Sequence, residues 1–189
     1  TDLGQGLAYL RVHSIAESEA ALRKTVPGAG ALVLDLRYTT ASGESVAILQ
    51  AALAGHRADT PLFILVSPAT PPPLAPAVAS ALTLGAPGSV PAPKVVVQTD
   101  AATDRRAYDA LESGTPLEKL ISGKIEKERF DEATLVHEFK NGNPDAAPAP
   151  LPDPTAPKPA GTPEQPAPLV DRVLQRAVHL HRALQALRR

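Results

Sequence analysis

The sequence predicts an α/β fold built on a parallel sheet, and three observations carry that prediction. Short aliphatic runs bounded by Gly, Pro or polar residues recur through residues 3–143. Amphipathic segments long enough to form helices separate those runs, so consecutive strands are joined by right-handed crossovers and run parallel. No period of about 20–50 residues repeats, which excludes a solenoid.

Taken in order, the predicted strands are residues 7–12, 31–36, 62–66 and 94–98, each rich in Val, Leu or Ile. The predicted helices are residues 17–24, 44–55, 74–84 and 104–113, with shorter ones at 116–122 and 130–140. Ser42 and Asp104 stand where a helix start needs a side-chain oxygen to take up free amide hydrogens. Ser80 falls inside the Ala-rich helix at 74–84, where a small residue permits close approach to the sheet.

Proline density draws the main boundary. Between Pro144 and Pro168, ten of 25 residues are Pro and six are Ala, a composition that favours extended polyproline II and buries almost nothing. The chain therefore reads as a body over residues 1–143, a Pro/Ala-rich linker over 144–168, and a basic amphipathic helix over 169–189. Val170, Val173, Ala177, Leu180, Leu184 and Leu187 recur along one side of that helix, and five arginines stand against Asp171. The stripe needs a partner, and three are open: the helix's own body, another chain through Val173, Ala177, Leu180, Leu184 and Leu187, or an anionic membrane.

Composition narrows the chemistry. The 189 residues are 43% hydrophobic with six aromatics, so the core must be aliphatic. A net charge of −1 excludes the generally basic surface that nucleic-acid binding requires. Without cysteine there are no disulfides, thiol nucleophiles, iron–sulfur clusters or Cys-containing zinc sites. No apolar run approaches the roughly 18 residues of a bilayer span. The chain opens Thr1-Asp2-Leu3 without a signal-peptide pattern, and the expectation is a soluble chain trimmed from something longer. Five scattered histidines offer no metal set, since His179 and His181, two apart on a helix, face different ways. The mixed charges of residues 126–132 read as a solvated face, and His137-Glu138 lacks the second histidine of a zinc-peptidase motif. Gly28-Ala29-Gly30 precedes a strand rather than following one, so it reads as a turn and not a phosphate loop. No cofactor is called for.

Two strands carry a family resemblance. Gly6-Leu7-Ala8-Tyr9-Leu10-Arg11, a helix, and then Ala31-Leu32-Val33-Leu34-Asp35-Leu36-Arg37 resemble the entry to the catalytic core of the carboxy-terminal processing (tail-specific) serine peptidases, family S41, whose pattern runs G-I-x-Y-I-R, helix, L-V-L-D-L-R-x-N-x-G-G. Leu62–Ser67 then occupies the place of the strand leading to the nucleophile, and the resemblance covers roughly residues 4–100. It implies a ClpP/crotonase-like core of stacked ββα units and a periplasmic or exported location.

The departures fall on the chemistry. Where the family places Asn and a glycine pair beside the oxyanion, this chain reads Tyr38-Thr39-Thr40-Ala41-Ser42-Gly43, with Gly43 a displaced remnant. The serine position falls on Pro72 or Pro73, and proline has neither a hydroxyl nor an amide hydrogen. The segment matching the lysine base holds no lysine before Lys94, which opens a strand and is expected to face solvent. Groups that act as a unit have been lost together, which implies a catalytically inactive peptidase-like domain acting as a binding or assembly module. The alternative is a working hydrolase with a rearranged site, for which Ser67 and Lys94 are the candidate nucleophile and base. On either reading Arg37, Gly43 and Thr70 are the candidate cleft residues. A third reading keeps only the fold, with a small ligand or peptide bound above the carboxyl ends of the strands.

Overall fold

A computed structural model describes residues 1–122 and 168–187. The helix expected at 130–140, the charge run at 126–132, His137 and the linker up to residue 167 lie outside the described residues.

Five parallel strands form one sheet in the order β1 (Leu7–Arg11), β2 (Ala31–Asp35), β3 (Leu62–Val66), β4 (Leu82–Gly85) and β5 (Val95–Val96). Helix α1 (Glu19–Gly28) joins β1 to β2, and α2 (Ser45–Ala54) joins β2 to β3. A 3-10 turn at Pro72–Leu74 and the short α3 (Ala75–Val78) lead to β4. After β5 come α4 (Ala101–Glu112), α5 (Leu117–Ser122) and, beyond the proline-rich stretch, α6 (Arg172–Leu187). The chain is thus α/β with a parallel sheet.

Every residue of β2 is buried, because both faces of the sheet are covered. On one face, Leu32, Leu34, Ile64 and Val66 pack against Leu22 and Val26 of α1, Leu49 and Ala52 of α2, and Ala77 and Val78 of α3. On the other, Tyr9, Val33, Phe63, Leu65 and Leu84 pack against Leu117 of α5 and Val173, Leu174, Ala177 and Val178 of α6. Sequential order with crossovers of one hand puts α1, α2 and α3 on a single face, and the opposite face is left for the later helices.

The stripe on α6 therefore finds its partner in the chain's own body, and Leu169–Arg189 belongs to the same unit as Thr1–Ser122. Its first turn also completes α5: the Asp171 amide donates to the Leu120 carbonyl at 2.9 Å and the Gln175 side-chain amide to Ile121 at 2.9 Å, satisfying carbonyls that a helix end leaves open.

Two expectations are corrected. The helix at 74–84 ends at Val78, and Leu82–Gly85 is instead the strand β4, with Ser80 exposed in the turn between them. Its fourth residue must be glycine: a Cβ on Gly85 would lie 2.6 Å from the Val66 carbonyl oxygen and 2.7 Å from Ser89 Oγ. Asp104 does not cap α4 either; Asp100 does, accepting the Thr103 amide at 2.8 Å, and Asp104 turns inward from the next turn.

If α6 is an integral wall of the core, Leu174→Ala should cost about 2–5 kcal/mol in urea unfolding, as for any fully buried leucine. A loss of under about 1 kcal/mol would instead mark the helix as peripheral.

Candidate functional site

The carboxyl ends of the strands hold two polar clusters. The first surrounds Arg37, two residues beyond the end of β2 and without any exposed surface. Its Nε and Nη2 donate to the two Asp35 carboxylate oxygens at 3.0 and 2.8 Å. Nη1 donates to Asp104 of α4 at 2.8 Å and to Asp171 at 3.0 Å, and Nη2 reaches the second Asp171 oxygen at 2.7 Å. A guanidinium has five N–H donors, and these five bonds use them all. Asp171 also accepts the Leu174 amide at 2.9 Å, so the residue that caps α6 is the one that pins it to Arg37.

Tyrosines complete the cluster. Tyr9 donates to Asp35 at 2.8 Å and Tyr38 to Asp104 at 2.8 Å. The Tyr108 ring meets Tyr38 edge-on at 4.7 Å, and the Arg11 guanidinium lies 3.5 Å above it. Arg11 also donates to the Tyr108 carbonyl, and the Tyr108 hydroxyl lies 3.4 Å from His13 Nδ1. Helix α4 is thereby fastened over the carboxyl ends of β1 and β2.

One guanidinium facing three carboxylates cannot favour all of them equally. Burial alone would raise the Asp35 carboxyl, but the Arg37 charge and its hydrogen bonds outweigh that and hold it below the ordinary range. For Asp104 burial wins: assisted by the nearby Asp171 charge, it raises the carboxyl above the ordinary range despite Arg37. Burial likewise raises the Tyr9 and Tyr38 hydroxyls, so both stay protonated and donate.

The second cluster lies at the ends of β3 and β4. Ser67 is fully buried; its Oγ accepts the Ala69 amide at 3.2 Å, and its own amide donates to Thr70 Oγ1 at 2.9 Å. Thr70, also buried, donates to the Leu36 carbonyl at 3.1 Å. The Ser89 hydroxyl lies 2.7 Å from the Ala86 carbonyl oxygen and 3.3 Å from that of Val66, while the Ser67 carbonyl accepts the Thr70 and Val90 amides at 3.1 Å each. All three hydroxyls are turned inward to tie loops to strands.

The remaining candidates are exposed. Lys94 is exposed ahead of β5, its amide donating to Thr83 Oγ1 at 3.0 Å. Gly43 is exposed before α2, with nothing within 4 Å of where a Cβ would stand. Pro72 and Pro73 are exposed in the 3-10 turn. Of the candidates, only Ser67 and Thr70 are hydrogen-bonded to each other. Asp104, Asp171, Tyr9, Tyr38 and Ser89 were not singled out from sequence as members of a site.

No family model matches the chain, and neither does any curated protein. Among the described residues no three His, Cys, Asp or Glu side chains are arranged to hold a metal ion, and no helix is long and apolar enough to cross a membrane.

The two carboxylates should respond to substitution and pH in opposite senses. Asp35 contributes stability that is present above its unfolded value of about 3.9 and lost as pH falls through its lower folded value. Asp104 binds its proton more tightly when folded, so stability is lost as pH rises from the unfolded value through the raised folded one. Asp35→Asn should therefore cost about 3–5 kcal/mol at pH 7, shrinking as pH falls through the acid range, whereas Asp104→Asn should cost much less at pH 7. Equal costs in urea titrations at pH 7 would contradict this division of charge.

Proposed function

We propose that this chain is a catalytically inactive relative of the tail-specific serine peptidases, with a ClpP/crotonase-type core, retained in the periplasm or exported as a binding or assembly module. The observation that carries the reading is the use made of the hydroxyls at the carboxyl ends of the strands. Ser67, the best-placed candidate nucleophile, is buried with its oxygen engaged by the Ala69 amide, and Lys94 is exposed. A nucleophile needs a base within hydrogen-bond reach and a path for substrate. The segment that resembles the family's nucleophile loop is a proline turn, which offers neither a hydroxyl nor, at Pro72 and Pro73, an amide donor.

The same hydrogen bonds that withdraw the hydroxyls from chemistry stiffen the loops around them. Such loops suit a surface that must present a fixed shape, and binding modules gain affinity when little ordering remains to be done on association.

Incubation with a fluorophosphonate probe, followed by mass spectrometry, should give no serine adduct, and peptide substrates should be left intact. Labelling at one serine that heat denaturation abolishes, and that disappears in Ser67→Ala, would overturn the reading and name the nucleophile.

A further inference from the structure

We propose that the buried carboxyl group of Asp104 is a proton-controlled latch on α6, holding the helix tightly while it carries a proton and loosening it when the proton leaves. Arg37 Nη1 donates to Asp104 of α4 at 2.8 Å and to Asp171, at the start of α6, at 3.0 Å. One nitrogen of one guanidinium therefore stands between carboxyl groups from two helices. Asp35 takes Nε and a share of Nη2, at 3.0 and 2.8 Å. With all three carboxyl groups ionised, three negative charges would face one positive charge, on side chains no more than 2% exposed.

No neighbouring cation restores the balance. Arg105 of α4 lies over the Tyr38 ring, but it is half-exposed and bonded to Asp109 at 2.9 Å. Arg11 of β1 is engaged by the Tyr108 ring and carbonyl, and the exposed His13 reaches the Tyr108 hydroxyl at 3.4 Å rather than a carboxylate. Arg172 of α6 is exposed and reaches the Gln98 carbonyl at 3.3 Å, and the charged residues of α5, Glu118 and Lys119, are exposed too. Tyr9 of β1 and Tyr38, next to Arg37, bring neutral hydroxyls to Asp35 and Asp104. Among the described residues Arg37 is thus the cation that ion-pairs with these three carboxylates.

Like charges that share a donor repel, and the repulsion is relieved either by a proton on Asp104 or by departure of Asp171 with α6. A protonated Asp104 still offers an oxygen to Nη1, so Arg37 stays paired while the opposing charge is gone. An ionised Asp104 does the reverse: it opposes Asp171, and with Asp35 it can serve Arg37 once α6 has left. Burial, together with the Asp171 charge, makes Asp104 hold its proton more tightly than an exposed aspartate does, against the pull of Arg37. Linkage is reciprocal: if docked Asp171 favours the proton, the proton favours docked Asp171 to the same degree. The grip is therefore complete below the ordinary carboxyl value of about 3.9 and is lost as pH rises through the raised value of the folded state. Helix α6 is the element free to respond, because it lies on one face of the sheet and no strand pairing breaks when it leaves.

Hydrogen exchange of the α6 amides, read by mass spectrometry on the full chain between about pH 4 and about pH 8 and corrected for the intrinsic pH dependence of exchange, tests the latch. As pH rises, wild-type α6 should lose about fivefold or more of its protection relative to Asp104→Asn, whose amide keeps an acceptor for Arg37 and cannot ionise. His179 and His181 of α6, the latter with Nε2 3.1 Å from the Gln5 carbonyl, are present in both chains and cancel in the comparison. Helices α1 and α2, on the other face of the sheet, should show no such difference. NMR of the Asp104 carboxyl carbon gives a second readout that needs no variant, and that group should titrate above the ordinary aspartate range. The same pH dependence of α6 in both chains, a difference shared equally by α1 and α2, or an Asp104 carboxyl that titrates in the ordinary range would each overturn the proposal.

Discussion

Arg37 is the constraint on which the arrangement of the later helices depends. It extends from the end of β2 with no exposed surface, and its five donors are met by carboxylates from three places in the chain, 2, 67 and 134 residues away. Moving two or more ions out of water costs several kcal/mol each, and attraction within the group roughly offsets that cost. The group's worth therefore lies in what it forbids. A displaced α6 would withdraw both Asp171 oxygens and leave part of a buried guanidinium unpaired at a cost of about 3–5 kcal/mol, and a displaced α4 would withdraw Asp104 at a smaller cost. Apolar packing on the sheet could accept α6 in several registers, whereas the bidentate pair between Asp171 and Arg37 accepts one.

The same end of the sheet is where open parallel sheets usually bind ligands, outside the carboxyl ends of the strands. Here α4 covers β1 and β2 with Tyr108 against Arg11 and Tyr38, the loop after β4 is tied to the end of β3 by the Val90 amide on the Ser67 carbonyl and the Ser89 hydroxyl on that of Val66, and the Thr70 hydroxyl ties the loop after β3 to the Leu36 carbonyl beyond β2. The hydroxyls of Ser67, Thr70 and Ser89 and every donor of Arg37 are turned to one another, to carboxylates or to the backbone rather than to a cleft. Buried polar groups of this kind are costly unless fully paired, so the pairing is a requirement of having them there at all.

The parallel α/β architecture was legible because each strand is a short aliphatic run with a helical segment after it. Strand β4 was not, because Leu82-Thr83-Leu84 directly continues the apolar positions of Ala77 and Val78, and short apolar runs do not distinguish strand from helix by period. The signal that was present was Gly85, whose approach to the Val66 carbonyl leaves no space for a side chain. At the site, Asp35-Leu36-Arg37 stood out as a charged pair ending a buried strand, but its partners could not be read. Asp171 looks from sequence like one acid among arginines at a helix start, and only the closed fold carries it across 134 residues to Arg37. Asp104 looks from sequence like a helix cap because it opens Asp-Arg-Arg-Ala-Tyr, whereas the helix begins a turn earlier and Asp100 caps it.

Length explains why a single apolar stripe on α6 serves two surroundings. Sixteen residues of helix span about 24 Å, whereas the five residues of β3 span only about 17 Å. Laid on the sheet with its first turn fixed at Arg37, the helix runs past the amino ends of the strands by about 7 Å, or some five residues. Residues 182–187 are all exposed, as that overhang requires. Val173 and Ala177 are buried because strand lies beneath them; Leu184 and Leu187 continue the same stripe where the strands have ended. The exposed leucines thus follow from two facts set independently, where Asp171 must sit and how long the helix is, and they mark the place where the fold leaves an apolar edge uncovered.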